Sequence, residues 1–295
     1  MKTDVSVSII IVNYNTLEIT KHCIDSIFEH TSEVDFEVIV VDNDSCDGSK
    51  DMLSADSRIV YIKSRSNLGF GKANNLGMKY AKGKYIFLLN SDTILLNNAV
   101  KYFFDSMERM PNNVACLGTI LLAADGITKN NSYGDFPSLS NTFMNVIRLY
   151  FRFGKAGKRE NRNSDSFKVD YIIGADLFIR QEVIEKVGLF DPDFFMYFEE
   201  TEMQLRYSQL GYESRIIFTP SIIHLECVSA DGGSKLSSIK QRLMYFHSMF
   251  IYMKKRYGWF KYLLFRVLVI SYLPTFHRID KSNFKSSLKL FFFTS

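Results

Sequence analysis

Four short apolar runs, separated by segments with helical spacing, constrain the fold of this 295-residue chain most strongly. Residues 5–12 and 36–41 are rich in Val and Ile, and residues 58–62 and 85–89 repeat the pattern. Continuous apolar strands of this length are typical of parallel strands covered on both faces. Strands that alternate with helices form parallel sheets. The sequence therefore predicts a doubly wound, mostly parallel α/β fold.

Polar clusters follow three of these runs. They are Asn13-Tyr14-Asn15, Asp42-Asn43-Asp44-Ser45 and Asn90-Ser91-Asp92. Ligands of doubly wound sheets bind beyond the carboxyl ends of the strands. Together the clusters predict one ligand-binding crevice, whereas ordinary loop chemistry is the alternative for any cluster taken alone. Asn15, with Glu18 three residues later, is also predicted to cap the first helix.

Asp92 is a candidate metal ligand because it lies directly after the fourth run. One carboxylate in this place can hold Mg²⁺ or Mn²⁺ when a diphosphate supplies further oxygen ligands. Such an ion neutralises charge on a departing nucleoside diphosphate. A helix-capping Asp is the alternative. His224 follows an apolar pair, and it is either a structural residue or a second metal ligand through its neutral imidazole.

A glycine-rich turn, Asn67-Leu68-Gly69-Phe70-Gly71, opens a helix predicted from about residue 71 to 81, which includes Asn74. Backbone N–H groups at a helix start can support a phosphate group, although the glycines may equally serve a tight turn. The chain has no G-x-G-x-x-G or P-loop lysine motif. This argues against a dinucleotide site and a P-loop nucleotide site.

An acidic group, Glu199-Glu200-Thr201-Glu202, opens a later helix. Acids are favoured at a helix N-terminus, so a solvated first turn is one interpretation. The preceding residues, 194–198, are all apolar or aromatic. A carboxylate held against such a wall has a raised proton affinity, as a general base requires. The group therefore contains a candidate catalytic base.

The ordered motifs resemble the family 2 glycosyltransferases of GT-A fold, and most of all a bacterial rhamnosyltransferase-like branch. The motifs are Ser8-Ile-Ile-Ile-Val-Asn-Tyr-Asn, Val-Ile-Val-Val-Asp42-Asn-Asp-Ser, Asn67-Leu-Gly-Phe-Gly, Leu-Leu-Asn-Ser-Asp92-Thr, Gly174-Ala-Asp-Leu-Phe-Ile-Arg, Gly188-Leu-Phe-Asp-Pro-Asp-Phe-Phe-Met-Tyr-Phe-Glu-Glu and His224. The resemblance covers roughly residues 5–230.

The resemblance implies roles for these positions. Tyr14 and Asp42 would bind the nucleobase, the ring by stacking and the carboxylate by accepting the imide N–H. Asp92 and His224 would hold the metal. Further donor-binding positions are Asn13, Asn15, Asn43, Asn67, Gly69, Phe70, Asn74 and Ser91, and the sugar and acceptor region is lined by Gly174, Ala175, Asp176 and Glu199. Glu200 falls where the family has its catalytic Asp, and Glu202 where it has a second Asp.

These roles imply an inverting, metal-dependent glycosyltransferase. It would move a sugar, such as rhamnose or a hexose, from a UDP- or dTDP-sugar to a glycan or lipid-linked acceptor in bacterial surface polysaccharide synthesis. Because Glu200 replaces Asp, one alternative is a catalytically weak nucleotide-sugar-binding or scaffold protein. A nucleotidyltransferase is a weaker alternative, since no Gly-rich basic loop follows the first run. No nucleic acid partner is predicted.

The predicted domains are a catalytic domain at residues 1–235 and a helical tail at 236–295. The catalytic domain divides into a nucleotide-binding half (1–120) and an acceptor half (121–235). A basic, aperiodic segment at 151–163 is predicted to be a loop. From residue 240 onward the chain has eleven Lys or Arg residues and one acid, Asp280, against a net charge of +4 overall.

The basic, aromatic tail is predicted to lie on the anionic inner surface of the cytoplasmic membrane. Its apolar stretch at 262–273 is too short to span a bilayer. Packing of the tail against the catalytic body is the alternative. The four cysteines are scattered, without a C-x-x-C pair, which favours a reducing compartment. The predicted location is therefore cytoplasmic, with peripheral membrane association.

Overall fold

A mostly parallel sheet of eight strands forms the centre of the molecule in a computed structural model, which describes residues 5–141, 165–226 and 235–276. The predicted loop at 151–163 and the tail beyond residue 276 lie outside these ranges. The strands are β1 (Val7–Asn13), β2 (Phe36–Asp42), β3 (Ile59–Lys63), β4 (Tyr85–Asn90), β5 (Thr93–Leu95), β6 (Val114–Thr119), β7 (Tyr133–Gly134), β8 (Ser166–Val169), β9 (Tyr171–Ile172), β10 (Asp176–Arg180), β11 (Glu213–Ile217) and β12 (Ile222–His224).

Helices follow most of the strands along the chain. They are α1 (Leu17–His30), α2 (Ser49–Ser54), α3 (Phe70–Met78), α4 (Ala99–Arg109), α5 (Gln181–Val187), α6 (Glu199–Gln209) and α7 (Lys235–Phe276). The sheet order is β3-β2-β1-β4-β10-β6-β11-β8. Strand β10 is antiparallel to both of its neighbours, and β8 is antiparallel to β11. The other pairs are parallel.

Side chains alternate between two cores, one on each face of the sheet. In β1, Ile9 and Ile11 point to the face covered by α1 and α4, and Ile10 points to the face covered by α3, α5 and α6. All three are fully buried, as the unbroken apolar runs predicted. Helices on both faces of a mostly parallel sheet confirm the predicted doubly wound α/β class.

The predicted cap of α1 is wrong. Thr16, not Asn15, is the N-cap residue, and the side chain of Thr16 makes no capping hydrogen bond. Asn15 instead adopts a positive φ of 53°, and its Oδ1 accepts the N–H of Cys46 at 2.8 Å. The carboxylate of Asp47 reaches the first helical N–H, at Leu17, from the neighbouring loop. A cap supplied from a distant loop leaves no signature in the local sequence.

Helix α7 is broken at Gly258, whose φ of 75° only glycine adopts readily. The break divides α7 into a first part, residues 235–257, and a second part, residues 259–276. In the first part, residues 246–257 pack against the catalytic body, where Phe194 and Phe198 share an apolar cluster with Tyr252 and Met253. The alternative of packing against the body therefore holds for this part of the tail.

The second part of α7 has one buried and one exposed face. Tyr262 and Phe265 pack edge-on against Phe250 of the first part, with ring centroids 6.2 and 6.3 Å away. Among residues 259–267, the exposed large apolar side chains are Trp259, Phe260, Leu263, Leu264 and Val267. Among the helices that the structure describes, none has a stretch long and apolar enough to cross a bilayer.

Candidate active site

The three predicted polar clusters meet at one edge of the sheet. In the parallel ladder Asn13 lies opposite Asp42, and Val12 lies opposite Asn90. The ends of β1, β2 and β4 are therefore adjacent. The hydroxyls of Thr16 and Ser91 approach to 3.4 Å and join the first and third clusters. This edge is the crevice that the sequence predicted.

Asp42 is fully buried and already has three hydrogen-bond donors. Its Oδ2 accepts the hydroxyl of Tyr61 at 2.7 Å, and its Oδ1 accepts the Ser45 N–H at 3.1 Å and the Asn13 amide at 3.4 Å. Burial first, and then the hydrogen bond to Asp42, raises the pKa of Tyr61. A carboxylate has about four acceptor sites, so these three donors leave one for a nucleobase N–H. In this structure Asp42 holds Tyr61, Ser45 and Asn13 in place beside the crevice.

Asn13 is also fully buried, and both ends of its amide are in use. Its Nδ2 donates to the Ser45 hydroxyl at 3.0 Å, and its Oδ1 accepts the hydroxyls of Thr16 and Thr20. Tyr14, by contrast, leaves 39% of its side chain exposed. Of this cluster, Tyr14 is the residue whose ring is open to a ligand.

Asn43 and Asn67 fold the glycine-rich turn. Oδ1 of Asn43 accepts the Leu68 N–H at 2.8 Å, and its amide donates to Oδ1 of Asn67 at 3.0 Å. Asn67 in turn accepts the Gly69 N–H at 2.9 Å. Asn74 is buried and donates to the Phe70 carbonyl. These side chains maintain the turn, and their contact with a donor stays a prediction.

The turn is held against the loop that precedes α6. The Phe70 N–H donates to the Phe195 carbonyl at 2.9 Å, and a Cβ added to Gly69 would lie 2.0 Å from the same oxygen. Two N–H groups that the sequence offered to a phosphate, at Gly69 and Phe70, are therefore bonded within the protein. The turn joins the two halves of the crevice.

His224 lies beside Asp92 because β12 pairs with β5, placing His224 opposite Thr93. Its Nε2 is 3.3 Å from Oδ1 of Asp92 and 3.3 Å from the Asn90 amide nitrogen. Both members of the pair are mostly buried, with 11% and 13% of their side chains exposed. The Nδ1 of His224 is buried without a hydrogen-bond partner.

This pair fits a divalent ion that has few protein ligands. Within the described ranges, no group of three or more His, Cys, Asp and Glu side chains could hold a metal. One carboxylate oxygen and one imidazole nitrogen nevertheless face each other at the crevice edge. Mg²⁺ and Mn²⁺ accept such incomplete sets when phosphate oxygens and water supply the remaining ligands.

The segment 174–176 lies beneath the crevice. The Ala175 carbonyl accepts the N–H of Asn90 at 3.0 Å, and Gly174 packs against the ring of Phe70. Asp176 is fully buried. Its Oδ2 accepts the Thr119 N–H, its Oδ1 has no partner, and burial raises its pKa well above the usual value. Burial therefore favours the protonated form of Asp176, which avoids the cost of a buried charge.

Glu199 and Glu200 form an acidic pair at the start of α6. Glu199 is 3% exposed with an unpartnered Oε2, whereas Glu200 is partly exposed. Burial, and then the charge of Glu200, raises the pKa of Glu199 well above its usual value. Burial also raises the pKa of Glu200 to about 7. Glu200 is the member that both reaches solvent and titrates near neutral pH, which suits a general base.

Several residues of the site were missed from the sequence. Tyr61 lies on β3 and donates to Asp42, and Asn75 holds the backbone of Phe190 with two hydrogen bonds of 2.8 and 3.1 Å. Tyr197 and Phe198, just before α6, have positive φ values of 71° and 69°. Bulky residues rarely adopt this conformation, and it concentrates at functional sites. An aromatic run before an acidic pair was the only signal for them.

The family model for Glycosyl transferase family 2 matches residues 8–188. The chain belongs to this family. The match agrees with the family found by resemblance, and it extends from β1 to just past α5, so that the acidic pair and His224 lie outside it.

Family 2 relatives share moderate identity with the chain. The low-salt glycan biosynthesis hexosyltransferase Agl10 of Haloferax volcanii is 30% identical over 203 residues, which are 68% of this chain and 60% of that protein. The poly(ribitol-phosphate) β-glucosyltransferase of Bacillus spizizenii is 30% identical over 114 residues, which are 37% of this chain and 18% of that protein. The chain thus spans less than two thirds of either relative.

Solved structures share the fold at low identity. GalNAc-T7 with UDP, GalNAc and Mn²⁺ matches 76% of this chain and 44% of its own, with a TM-score of 0.57 and 14% identity. The mannosyltransferase PcManGT of Pyrobaculum calidifontis, with GDP-Man and Mn²⁺, matches 86% and 64%, with a TM-score of 0.53 and 15% identity. The predicted GT-A fold is confirmed.

The junction at Gly69 provides a test of the crevice geometry. We expect Gly69→Ala to lower the free energy of unfolding by about 3 kcal/mol, since its positive φ and its clash with Phe195 both add cost. Gly211→Ala is the matched control, because Gly211 also has a positive φ but meets nothing within 4 Å. The control should lose only about 1 kcal/mol. If urea titrations showed equal losses for Gly69→Ala and Gly211→Ala, the close contact between Gly69 and Phe195 would be contradicted.

Proposed function

We propose that the chain is an inverting glycosyltransferase in which Glu200 is the catalytic base. The observation that carries this proposal is the pKa of Glu200, raised to about 7 by burial at the partly open end of α6. A base with a pKa near the working pH combines a large unprotonated fraction with a strong pull on the proton. Membership of family 2 supports the reaction class.

The acceptor side of the reaction follows from the acidic pair. Glu200 takes the proton from an acceptor hydroxyl as its oxygen attacks the anomeric carbon of the donor. The bond from that carbon to the phosphate oxygen breaks, and the configuration inverts. Burial, and then the charge of Glu200, raises the pKa of Glu199, which favours placing the negative charge of the pair on Glu200. No covalent sugar–enzyme intermediate is required.

The donor side uses the pair at the end of β4. Asp92 and His224 would hold Mg²⁺ or Mn²⁺, and the bound ion would neutralise charge on the departing nucleoside diphosphate. The open ring of Tyr14 stacks on the nucleobase, and Asp42 positions Asn13 and Ser45 next to it. GalNAc-T7 and PcManGT, which share the fold, were solved with Mn²⁺ and with UDP or GDP-Man.

The donor in this proposal is a UDP- or dTDP-sugar that carries rhamnose or a hexose. The acceptor is a glycan or a lipid-linked sugar of bacterial surface polysaccharide synthesis. The names of the relatives, a hexosyltransferase of glycan biosynthesis and a glucosyltransferase, support a sugar of the hexose class. The rhamnosyltransferase-like branch rests on motif resemblance alone.

A catalytically weak nucleotide-sugar-binding or scaffold protein is the second candidate. The observation that favours it is Glu200 itself, since the resembling motif has an aspartate there. Glutamate is one methylene longer, and a misplacement of that order can cost much of the rate. Measured turnover with an intact donor site separates the two candidates.

Glu200 should set the pH dependence of the reaction. Only the unprotonated carboxylate accepts a proton, so kcat/KM should fall about tenfold for each pH unit below about 7 and be level above it. We expect Glu200→Gln to reduce kcat by roughly 10²- to 10⁴-fold and to remove this limb of the profile. Glu182→Gln is the control, since Glu182 is exposed on α5. An unchanged rate in Glu200→Gln would remove the assignment.

Donor binding should depend on the Asp92–His224 pair. We expect one sugar nucleotide from a panel of UDP-glucose, UDP-galactose and dTDP-rhamnose to raise the melting temperature with Mn²⁺ and less without it. Ligand at 100 times its Kd stabilises by about 2.7 kcal/mol. Asp92→Asn should lose the Mn²⁺-dependent part, whereas Asp105→Asn, which removes a half-buried ion-pair partner of Lys101, should keep it. Equal shifts in Asp92→Asn would contradict the metal assignment.

The second part of α7 is proposed to dock on the cytoplasmic surface of the membrane. Its exposed residues Trp259, Phe260, Leu263, Leu264 and Val267 recur at helical spacing and form one apolar face. The Lys254 ammonium lies 5.5 Å from the Trp259 ring centroid, and Lys261 is exposed. An apolar face with flanking lysines suits the boundary of an anionic leaflet.

Vesicle sedimentation tests this docking. We expect the full chain to bind phosphatidylglycerol vesicles, more weakly at high salt, and the double variant Trp259→Ser/Phe260→Ser to bind at least about tenfold more weakly, because it loses two apolar anchors. Ile127→Ser is the control, since Ile127 is 82% exposed but lies outside α7. Unchanged binding of the double variant would exclude this face.

A further inference from the structure

A wall of aromatic rings at the start of α6 is built from two distant parts of the chain. Tyr245, from the first part of α7, lies 5.1 Å from Phe198 and 5.9 Å from Tyr197, measured between ring centroids. Tyr252 adds a further contact to Phe198 at 5.5 Å. Phe198 directly precedes the acidic pair, so the tail helix reaches the acceptor side of the crevice.

The wall lies within electrostatic reach of Glu200. Burial, and after it the charge of Glu200, raises the pKa of Tyr245. The same two causes, in the same order, raise the pKa of Tyr171 on β9. Tyr245 and Tyr171, from separate elements, are thus both close enough to Glu200 to be affected by the charge of its carboxylate.

Tyr245 is in contact with the wall and still open to a ligand. It keeps 46% of its surface exposed, although its ring packs against two others. Tyr197 and Phe198 are both held with positive φ, which costs about 1 to 3 kcal/mol for each residue. Backbone strain of this size, next to the proposed catalytic carboxylate, is typical of a functional site.

The first part of α7 is held in place by two contacts that follow Tyr245 along the helix. Ser248 Oγ donates to the Met196 carbonyl at 2.7 Å. Two turns later, Lys255 pairs with Asp191 at 2.8 Å and with Asp193 at 2.7 Å. Ser248 and Lys255 lie on the same face of the helix, and their contacts hold residues 245–257 against the loop that leads into α6. The position of Tyr245 is therefore fixed by its own helix.

We propose that Tyr245 and Tyr197 form a stacking site for a pyranose ring of the acceptor, so that the tail helix completes the acceptor side of the active site. The face of an aromatic ring carries negative charge, and the C–H bonds on one face of a pyranose are weakly positive. A neutral sugar can stack there while its hydroxyl faces Glu200. This inference rests on the proposed glycosyltransferase function.

Saturation-transfer NMR on the full chain tests the stacking site directly. The probes are methyl β-D-glucopyranoside, methyl β-D-galactopyranoside and methyl α-L-rhamnopyranoside, with irradiation of the aromatic protons. We expect transfer to the ring protons of at least one glycoside, reduced at least threefold in Tyr245→Ala and retained in Tyr245→Phe. Tyr80→Ala is the matched control, because Tyr80 is 51% exposed and lies on the turn after α3.

Kinetics give a second measurement. With a glycoside that accepts sugar, Tyr245→Ala should raise the acceptor KM by roughly 3- to 10-fold and leave the donor KM unchanged. The melting-temperature shift caused by donor and Mn²⁺ should also stay unchanged, which shows that the variant is folded.

Two results would overturn the stacking site: equal transfer in Tyr245→Ala and the native chain, or no transfer to any of the three glycosides. A different result would contradict the proposed glycosyltransferase function and leave the stacking site intact. In that case the glycosides would bind in a way that depends on Tyr245, but no sugar would be transferred.

Discussion

The geometry of the crevice depends on one backbone contact, in which the Phe195 carbonyl receives the N–H of Phe70 and faces Gly69. The contact joins the turn before α3, which belongs to the donor half, to the loop before α6, which carries the acidic pair. Gly69 allows it because any Cβ would lie 2.0 Å from the oxygen. Asn43 and Asn67 fold the turn from one side. Substrate groups bound on the two halves are therefore held in a fixed relation to each other.

The pair formed by Asp92 and His224 illustrates how much of the site could be predicted from the sequence. Asp92 could be predicted, since an unbroken apolar run ends just before it and ligands gather at such ends. The proximity of His224 depends on the pairing of β12 with β5, two strands of three residues each. Strands this short have no periodicity to detect, and their pairing is decided by the rest of the fold. The resemblance placed His224 at the metal, and the structure adds a distance of 3.3 Å to Asp92.

The cluster at β1 and β2 shows the opposite case. The position of Asp42 was predicted from the sequence, but its environment was not, because Tyr61 reaches it from β3 and Ser45 from the following loop. A buried carboxylate with three donors is satisfied and stable. The same holds for Asn15, whose amide bonds a distant loop instead of capping α1. Unbroken apolar runs predict strands and their ends, whereas side-chain hydrogen bonds between loops leave no local pattern.

The first part of α7 stabilises the strained segment that leads into Glu200. Two strained aromatic residues and a buried acidic pair each cost free energy, about 1 to 3 kcal/mol for each positive φ. Burial of a large apolar side chain returns about 1.5 to 3 kcal/mol. Met249, Phe250 and Met253 of α7 are buried in the cluster that contains Phe198. Their packing is of the size needed to offset the strain. The strained segment that leads into Glu200 is therefore stabilised by residues some fifty positions away, on a helix that lies outside the segment matched by the family.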